Sequence, residues 1–340
     1  MPSHRAPKYS TRKTSAVAIA GVAAGSVLLM QPGSAQAETV QQAQNDYNQK
    51  MHASEAATEA YNAAQTQAAA LQKKVDSLQA QISTDTAAMS SLQRTMGLQA
   101  AQQYESAGMS QTLKLALDAS PETYLNEALA DNEISQKEAQ LLKTLAADKA
   151  QVAQDKKLAG TALTQQQAQV GIAAKKKSEA LSQSSSAKSL LDSLTASQRA
   201  TIQHSQSGES SSSVNLTQAA PDSRAAQAVA YAKSKLGDEY VYAATGPSTF
   251  DCSGLTMEAW LSAGVQIERT AAEQYDSLPH VSRADLEPGD LVFYDYGDGG
   301  ITHVAIYVGN DTVIHAPHTG TVVQYGQIDN VGPAVGYARP

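Results

Sequence analysis

The spacing of apolar residues divides the chain into a long helical region and a shorter mixed region. Between about residues 38 and 181, apolar residues recur every three or four positions, as on one face of an α-helix. One series runs from Leu71 to Met96 and a second from Ile134 to Val152, each with polar interruptions. Alternating steps of three and four form the apolar seam of a coiled coil. We therefore predict an all-α coiled-coil domain over residues 38–181, with two long antiparallel helices and a short helical tip between them.

The pattern changes after residue 181. Serine tracts at Ser184–Ser186 and Ser210–Ser213 bury too little apolar surface to fold, which predicts a linker over residues 182–223. From residue 224 the chain predicts two helices and then a run of short strands. The helices are Ala225–Leu236 and Cys252–Ala263, and the strands are Leu291–Tyr294, Val304–Val308, Thr312–Ala316 and Thr321–Tyr325. Helices followed by antiparallel strands are typical of an α+β domain, which we place at residues 224–340.

The N-terminus has the features of an export signal. Basic residues precede an apolar stretch from Ala16 to Met30, and Ala35-Gln36-Ala37 has the small-x-small form of a cleavage site. The apolar stretch is shorter than the ~20 residues that span a bilayer, which favours a cleaved signal over a membrane anchor. We predict a Sec-type signal peptide at residues 1–37, cleaved near Ala37, and a secreted mature protein.

The charge balance and the cysteine content reduce the number of function classes that fit the sequence. Residues 224–340 carry six Lys/Arg against fourteen Asp/Glu, a balance of −8, which argues against a nucleic-acid partner because phosphate binding needs positive charge. The chain has one cysteine, Cys252, so it cannot form an internal disulfide. A single cysteine in an exported protein is a candidate for a reactive thiol.

Cys252 lies at the predicted start of a helix, where partial positive charge and free N–H groups lower a thiol's pKa. Asp251 opposes this effect, so a nucleophilic thiolate also needs a base. His303 opens a predicted strand, and His315 lies on the next one. We predict Cys252 as a nucleophile, His303 as its base and His315 as the residue that orients His303.

The loop between these two strands decides whether the histidines meet. A two-residue turn at Asn310-Asp311 would pair Ile306 with His315 and place the histidines on opposite faces. A three-residue loop at Gly309–Asp311 would pair Ala305 with His315 and make the histidines diagonal neighbours. We predict the three-residue loop, because Gly309 tolerates the positive φ that it needs.

Other interpretations of these residues stay open. A lone cysteine is commonly a small buried apolar residue, and a strand histidine is commonly a polar group with a satisfied hydrogen bond. Cys252 and the two histidines could instead ligate zinc. We predict neither a metal nor another cofactor.

Several segments resemble the NlpC/P60 family of papain-like cysteine peptidases. The resemblance covers about residues 225–338. The segments, in chain order, are Tyr240-Val241-Tyr242 with Gly246-Pro247, Phe250-Asp251-Cys252-Ser253-Gly254-Leu255, Arg269-Thr270 with Gln274, Pro288-Gly289-Asp290-Leu291-Val292-Phe293, His303-Val304-Ala305-Ile306-Tyr307-Val308-Gly309 and Ile314-His315-Ala316. The chain departs from the family pattern at Tyr242-Ala243-Ala244-Thr245-Gly246, where relatives commonly have an aromatic residue followed by Gly-Gly. This segment affects the shape of the cleft wall and therefore which bond the enzyme would cut.

The resemblance implies a papain-like fold and a Cys252, His303 and His315 triad. It further implies that Tyr240 lies near the oxyanion or substrate and that Ser253 and Arg269 line the cleft; we add Asp251 to the substrate-binding set. The family's usual reaction is hydrolysis of the γ-D-glutamyl–diaminopimelate (or lysine) bond in peptidoglycan stem peptides. We therefore expect a secreted endopeptidase of the cell wall.

The helical region resembles, more loosely, the coiled-coil part of secreted wall hydrolases, through Tyr104, Leu113–Leu117, Ser120-Pro121 and Tyr124-Leu125. In such relatives the hairpin can dock on a membrane complex or shade the active site, so we expect one of these roles. A plain spacer remains an alternative. Two alternatives for the function also stay open. One is a wall amidase or acyltransferase that uses the same triad, and the other is a non-catalytic wall-binding protein that acts through its coiled coil.

Overall fold

The computed structural model describes residues 32–107, 136–206, 218–297 and 300–340. The first two ranges contain three helices, α1 (Pro32–Ala107), α2 (Gln136–Ser193) and α3 (Ala196–Gln206). Residues up to Gln42 form a unit separate from Ala43–Pro340, and every contact reported below lies within the second unit. The predicted tip between the two long helices lies outside the described residues.

Helices α1 and α2 are antiparallel. The end of α1 packs on the start of α2, where Met96 contacts Leu142 and Leu145. Near the other end, Tyr47 and Met51 pack with Ala187 and Ile202. The all-helical region predicted from the apolar spacing is therefore present, and it is consistent with a coiled coil.

Two boundaries differ from the sequence-based prediction. Residues 182–193 continue α2, and residues 196–206 form α3, so the first half of the predicted linker is helical. Serine is only a moderate helix breaker, and Ala187 and Ile202 supply apolar contacts that offset it. At the N-terminus, α1 begins at Pro32 and not at the predicted start of the coiled coil, residue 38, because proline is tolerated in the first helical turn. The signal peptide remains a prediction, since residues 1–31 lie outside the described part of the chain.

The remaining elements form an α+β domain, which confirms the predicted fold class. Its helices are α4 (Ser223–Ser234), α5 (Cys252–Ser262), α6 (Ala271–Ser277), the 3₁₀ turn Arg283–Asp285 and α7 (Ile328–Val331). Its strands are β1 (Glu239–Tyr240), β2 (Thr249–Phe250), β3 (Leu291–Tyr294), β4 (His303–Gly309), β5 (Thr312–His315), β6 (Gln324–Gln327) and β7 (Ala334–Ala338).

Strands β3 to β7 form one antiparallel sheet in the order β6-β5-β4-β3-β7, and both of its faces are covered. Val304, Ile306 and Val308 of β4 pack on one face in the same cluster as Leu255 and Trp260 of α5. Alternate residues of the strands form a second cluster on the other face. All residues of both clusters lie between 220 and 338, so this domain has a core of its own.

The β4–β5 hairpin has the register that the sequence predicted, but it reaches that register differently. Ile306 pairs with Ile314, so the same register sets His315 opposite Ala305. Asn310 and Asp311 both have φ of +53°, which makes a two-residue turn of the primed type. A bulge between Tyr307 and Gly309 adds one residue to β4, and this residue restores the predicted register, in which Ala305 lies opposite His315.

Strand β7 was not predicted, and β6 begins three residues later than expected. Gly336 lies in β7 because the ring of Tyr275 occupies the space where a Cβ would lie, and this glycine weakens the strand pattern in the sequence. Among the described helices, none is both long enough and apolar enough to cross a membrane.

Candidate active site

Helix α5 begins at Cys252 because Asp251 caps it. The Asp251 carboxylate accepts a hydrogen bond of 2.6 Å from the Gly254 N–H, and the backbone of Asp251 is extended, as an N-cap requires. Gly254 lets this turn approach the preceding loop, since a Cβ there would collide with the Ala244 carbonyl oxygen. Cys252 is therefore held in the first turn of a helix, with its thiol 1% exposed.

Asp251 also fixes the position of Arg269. The guanidinium donates two hydrogen bonds to the two carboxylate oxygens, at 3.1 Å and 2.6 Å, and a third to Ser253 Oγ at 2.9 Å. Asp251 is fully buried, and bidentate pairs of this kind are directional as well as strong. The side chains of Asp251, Ser253 and Arg269 thus form one connected polar group beside the thiol.

Gln274 holds the first turn of α5 against the segment that carries Arg269. Its amide nitrogen donates to the carbonyls of Ser253 at 3.1 Å and Glu268 at 2.9 Å. Its amide oxygen accepts from Thr256 Oγ1 at 2.9 Å. Because Gln274 is fully buried and its polar atoms are paired, it ties the two halves of the site together.

The two histidines meet where β4 begins and β5 ends. His303 Nε2 lies 2.9 Å from His315 Nδ1, and the other ring nitrogen, His303 Nδ1, is directed away from His315. A ring nitrogen of His303 and the Cys252 sulfur lie within 4.8 Å of each other. The predicted nucleophile, base and orienting residue are therefore adjacent.

Tyr240 lies at the same site. Its side chain is buried, and its pKa is raised well above the ordinary tyrosine value, first by burial and then by Cys252 and Asp251. Its hydroxyl shares a hydrogen bond with Thr58, a residue of α1. The structure thus brings all seven residues predicted for the site into one cluster, in which Tyr240 already has a partner from the helical region.

One face of α1 covers this cluster. The segment from Tyr47 to Asn62, which we call the covering segment, contains two glutamates one turn apart. Glu55 contacts His303 Nδ1 through a carboxylate oxygen. Glu59 accepts hydrogen bonds from Ser253 Oγ at 2.6 Å and from the Ala271 N–H at 2.7 Å, and it lies 3.8 Å from the Cys252 sulfur.

Further contacts extend the cover to the rest of the cluster. Asn62 donates a hydrogen bond of 3.0 Å to Asp251 Oδ2. His52 stacks on Tyr296 with ring centroids 3.8 Å apart, and Tyr47 meets His318 edge-on at 6.0 Å. Among the seven predicted site residues, the side chains of Tyr240, Asp251, Cys252, Ser253 and His303 each contact the covering segment. A substrate and the covering segment cannot occupy this cleft together.

Burial under α1 keeps the thiol and the imidazoles uncharged. Burial raises the pKa of Cys252 well above its ordinary value, and Glu59, Glu55 and Asp251 raise it further. Burial lowers the pKa of His303 to about 3. The pKa of His315 is also lowered, by burial and then by its histidine neighbours. In this conformation the pair is a thiol and a neutral imidazole, not the thiolate and imidazolium that a cysteine peptidase uses.

The pKa values of the two glutamates in the covering segment are raised, as that of Cys252 is. Burial raises the pKa of Glu59 to about 7, and Asp251 raises it further, against hydrogen bonds from Ser253 and Ala271 that lower it. Burial and Asp251 also raise the pKa of Glu55. Glu55 and Glu59 therefore share one buried space with Asp251 and Arg269, and the closed cluster favours the protonated forms of the two glutamates.

Comparison with known proteins identifies the domain. The model of the NlpC/P60 family matches residues 237–337. Residues 237–337 are an NlpC/P60 domain. The match ends within β7, and it includes Cys252, His303 and His315.

Two curated relatives match this chain over less than a third of its length. A probable endopeptidase p60 of Listeria innocua is 44% identical over 104 residues, which are 31% of this chain and 22% of that protein. The bifunctional muramidase/DL-endopeptidase CwlT of Bacillus subtilis is 38% identical over 95 residues, 27% of this chain and 28% of that protein. The chain therefore spans between about a fifth and a third of the length of these relatives.

Among solved structures, the NlpC/p60 domain of the peptidoglycan hydrolase SagA is 32% identical to this chain. The match covers 34% of this chain and 98% of that one, with a TM-score of 0.32.

Sequence reasoning missed the residues that cover the NlpC/P60 domain. Glu55, Thr58, Glu59 and Asn62 were assigned only to a helix of the coiled coil. A signal was present, because the series Tyr47, Met51, Ser54, Thr58, Asn62 has helical spacing but turns polar after Met51. A buried helix face with glutamates beside it needs polar partners, and here the cleft supplies them.

Proposed function

We propose that this chain is a secreted peptidoglycan hydrolase, a cysteine endopeptidase that cuts stem peptides in the cell wall. The observation that carries the proposal is the approach of Cys252, in the first turn of α5, to His303, whose far nitrogen lies 2.9 Å from His315. Relatives with the same domain bear names that include endopeptidase and peptidoglycan hydrolase.

The mechanism we propose begins with proton transfer from the Cys252 thiol to His303. The thiolate attacks the carbonyl carbon of the stem-peptide bond, and N–H groups at the start of α5, with Tyr240, stabilise the oxyanion. The C–N bond breaks, and His303 returns the proton to the departing amine. Water then attacks the thioester with His303 as base, which releases the new carboxylate and restores the thiol.

For the bond, we propose the γ-D-glutamyl–diaminopimelate link. Its support is the resemblance of the motifs and the DL-endopeptidase name of the Bacillus subtilis relative. Asp251, Ser253 and Arg269 form a polar group beside the nucleophile, suited to bind the charged ends of a short peptide. An amidase or acyltransferase would use the same triad on another bond, whereas a non-catalytic wall-binding protein would not need a reactive thiol.

We further propose that the described conformation is latent, and that α1 must leave the cleft before substrate binds. The support is steric and electrostatic, since the covering segment contacts most of the predicted site and keeps Cys252 and His303 neutral. A partner that binds the helical region, such as a membrane complex, would then switch the enzyme on.

The test is digestion of purified peptidoglycan by residues 218–340, with product masses. We expect Cys252→Ala to lower the rate at least ~1,000-fold, because the residual rate lacks the nucleophile. Ser262→Ala, at the other end of the same helix, serves as the matched control and should keep the parental rate. The masses identify the bond, because the proposed cut leaves a new amine on diaminopimelate and an amidase leaves one on L-alanine. Equal digestion by Cys252→Ala would refute the cysteine mechanism.

A further inference from the structure

Three side chains at the interface of α1 and the NlpC/P60 domain point donor atoms at one small volume. They are Glu55 from the covering segment, Cys252 from α5 and His303 from β4. One ligand atom from each lies within 4.8 Å of the other two, and all three residues are buried. A carboxylate oxygen, a thiolate sulfur and an imidazole nitrogen are the three donor types that proteins use for Zn²⁺.

The spacing suits a metal ion of this kind. With bonds of ~2.0–2.3 Å, tetrahedral ligands of zinc lie about 3.5 Å apart. Donor pairs that are farther apart than this need to close by about 1.3 Å at most, whereas the Glu55 oxygen that contacts His303 Nδ1 needs to move away from that nitrogen to admit the ion. Rotation of the Glu55 side chain can supply that movement, because its carboxylate ends a flexible chain.

The surroundings of the three donors also suit a cation. His303 Nε2 lies 2.9 Å from His315 Nδ1, so His303 can donate a proton there and keep the lone pair of Nδ1 for a ligand. A metal-bound histidine is typically oriented by such an outer partner. Glu59 and Asp251 lie beside the donors, and Arg269 is bound to Asp251. A divalent cation would stabilise the ionised forms of Glu55 and Cys252 in this buried space.

We propose that Glu55, Cys252 and His303 bind one Zn²⁺ ion, which holds α1 over the cleft. Hard cations such as Mg²⁺ and Ca²⁺ prefer all-oxygen sites, so sulfur and nitrogen donors select a zinc-type ion. On binding, the Cys252 thiol and the Glu55 carboxyl release their protons to water. The ion occupies both the nucleophile and the base, and it links them to the helical region. The proposed site departs from the sequence-based prediction of no metal, and its ligand set differs from the set of Cys252 and two histidines considered there.

The proposal rests on the proposed function of the same site, but its test does not depend on catalysis. The metal-free full chain is titrated with Zn²⁺ to measure stoichiometry and affinity, and with Co²⁺ to detect the near-ultraviolet charge-transfer band of a thiolate-bound cobalt. We expect one ion per chain and the cobalt band. Glu55→Gln should weaken zinc binding at least ~10-fold, because loss of even an outer partner of a metal ligand typically costs about 10- to 100-fold in affinity. Cys252→Ala should abolish the band.

Glu59→Gln is the matched control, because it removes a buried carboxylate one turn away on the same helix. We expect its zinc affinity to exceed that of Glu55→Gln by at least ~5-fold. Absence of zinc binding by the full chain, or equal losses in the two glutamine variants, would overturn the site. The two proposals can also fail separately. If the full chain binds zinc but residues 218–340 do not digest peptidoglycan, the result contradicts the proposed function and supports the metal site.

Discussion

The NlpC/P60 domain and the helical region are stabilised in different ways. The domain packs large side chains such as Trp260, Phe293 and Ile306 around a five-stranded sheet, with apolar clusters on both faces. The described part of the helical region has two small apolar clusters, one toward each end of its helix pair. Between them, the covering segment places polar side chains in the cleft of the domain. The domain should therefore fold alone, while this part of α1 depends on the domain for its hydrogen bonds.

The largest expected effect comes from removing the helical region. We expect residues 218–340 to cut soluble stem peptides at least ~100-fold faster than the full chain, since the cleft is no longer filled. Both proteins should show the same circular dichroism signature for the sheet domain. Equal rates on soluble peptides would show that the covered conformation does not limit activity.

A charge reversal in the covering segment should have the next largest effect. Glu59→Lys places an ammonium group beside Arg269 and removes the acceptor for Ser253 and Ala271. Breaking a buried charged contact of this kind costs about 3–5 kcal/mol, so the full chain should approach the rate of residues 218–340. Gln67→Lys adds the same charge on the exposed side of α1 and should leave the rate unchanged. If Glu59→Lys leaves the rate of the full chain unchanged, the result argues against inhibition by the covering segment.

The pH dependence of opening provides a third comparison. The pKa of Glu59 is about 7 under the cover, and on opening it returns to the ordinary carboxyl value of about 4.3. Its contribution to closure is therefore fully present below pH ~4.3 and is lost as the pH rises through about 7. Glu55, whose pKa is raised as well, acts in the same direction. Cys252 passes its proton to His303 on opening, so that pair leaves the proton count unchanged.

The measurement is the rate of Cys252 alkylation in the full chain divided by the rate in residues 218–340. We expect this ratio to rise at least ~10-fold between pH 5 and pH 7, and to rise less in Glu59→Gln. A ratio that falls over this range would contradict the direction derived from the carboxylates.

The smallest effect is expected for Asn62→Ala. It removes one hydrogen bond to Asp251, whose carboxylate keeps both bonds from Arg269. Loss of a hydrogen bond to a charged group costs about 1.5–3 kcal/mol, and water in the gap recovers part of it. Basal activity of the full chain should rise by about 3- to 10-fold, below Glu59→Lys. An effect larger than that of Glu59→Lys would reverse the ranking of the two contacts.

The sequence predicts the parts of the structure that depend on local pattern. The start of α5 at Cys252 follows from the cap at Asp251, and β3 has the predicted bounds because its residues are uniformly apolar. Strand β7 pairs with β3 over a long separation and contains Gly336, so no local pattern marks it. Glu55 contacts His303 and Glu59 contacts Ser253 across 248 and 194 positions of the chain, and helical spacing alone does not specify such contacts.

The β4–β5 connection makes the position of His315 beside His303 depend more on the length of the loop than on the identity of its side chains. The bulge at Gly309 supplies one additional residue, and that residue decides which side of the sheet receives His315. Loss of a single codon there would turn the imidazole to the reverse side while leaving every remaining amino acid unchanged. Deletions in this loop should therefore be far rarer among functional descendants of this protein than replacements at Asn310 or Asp311.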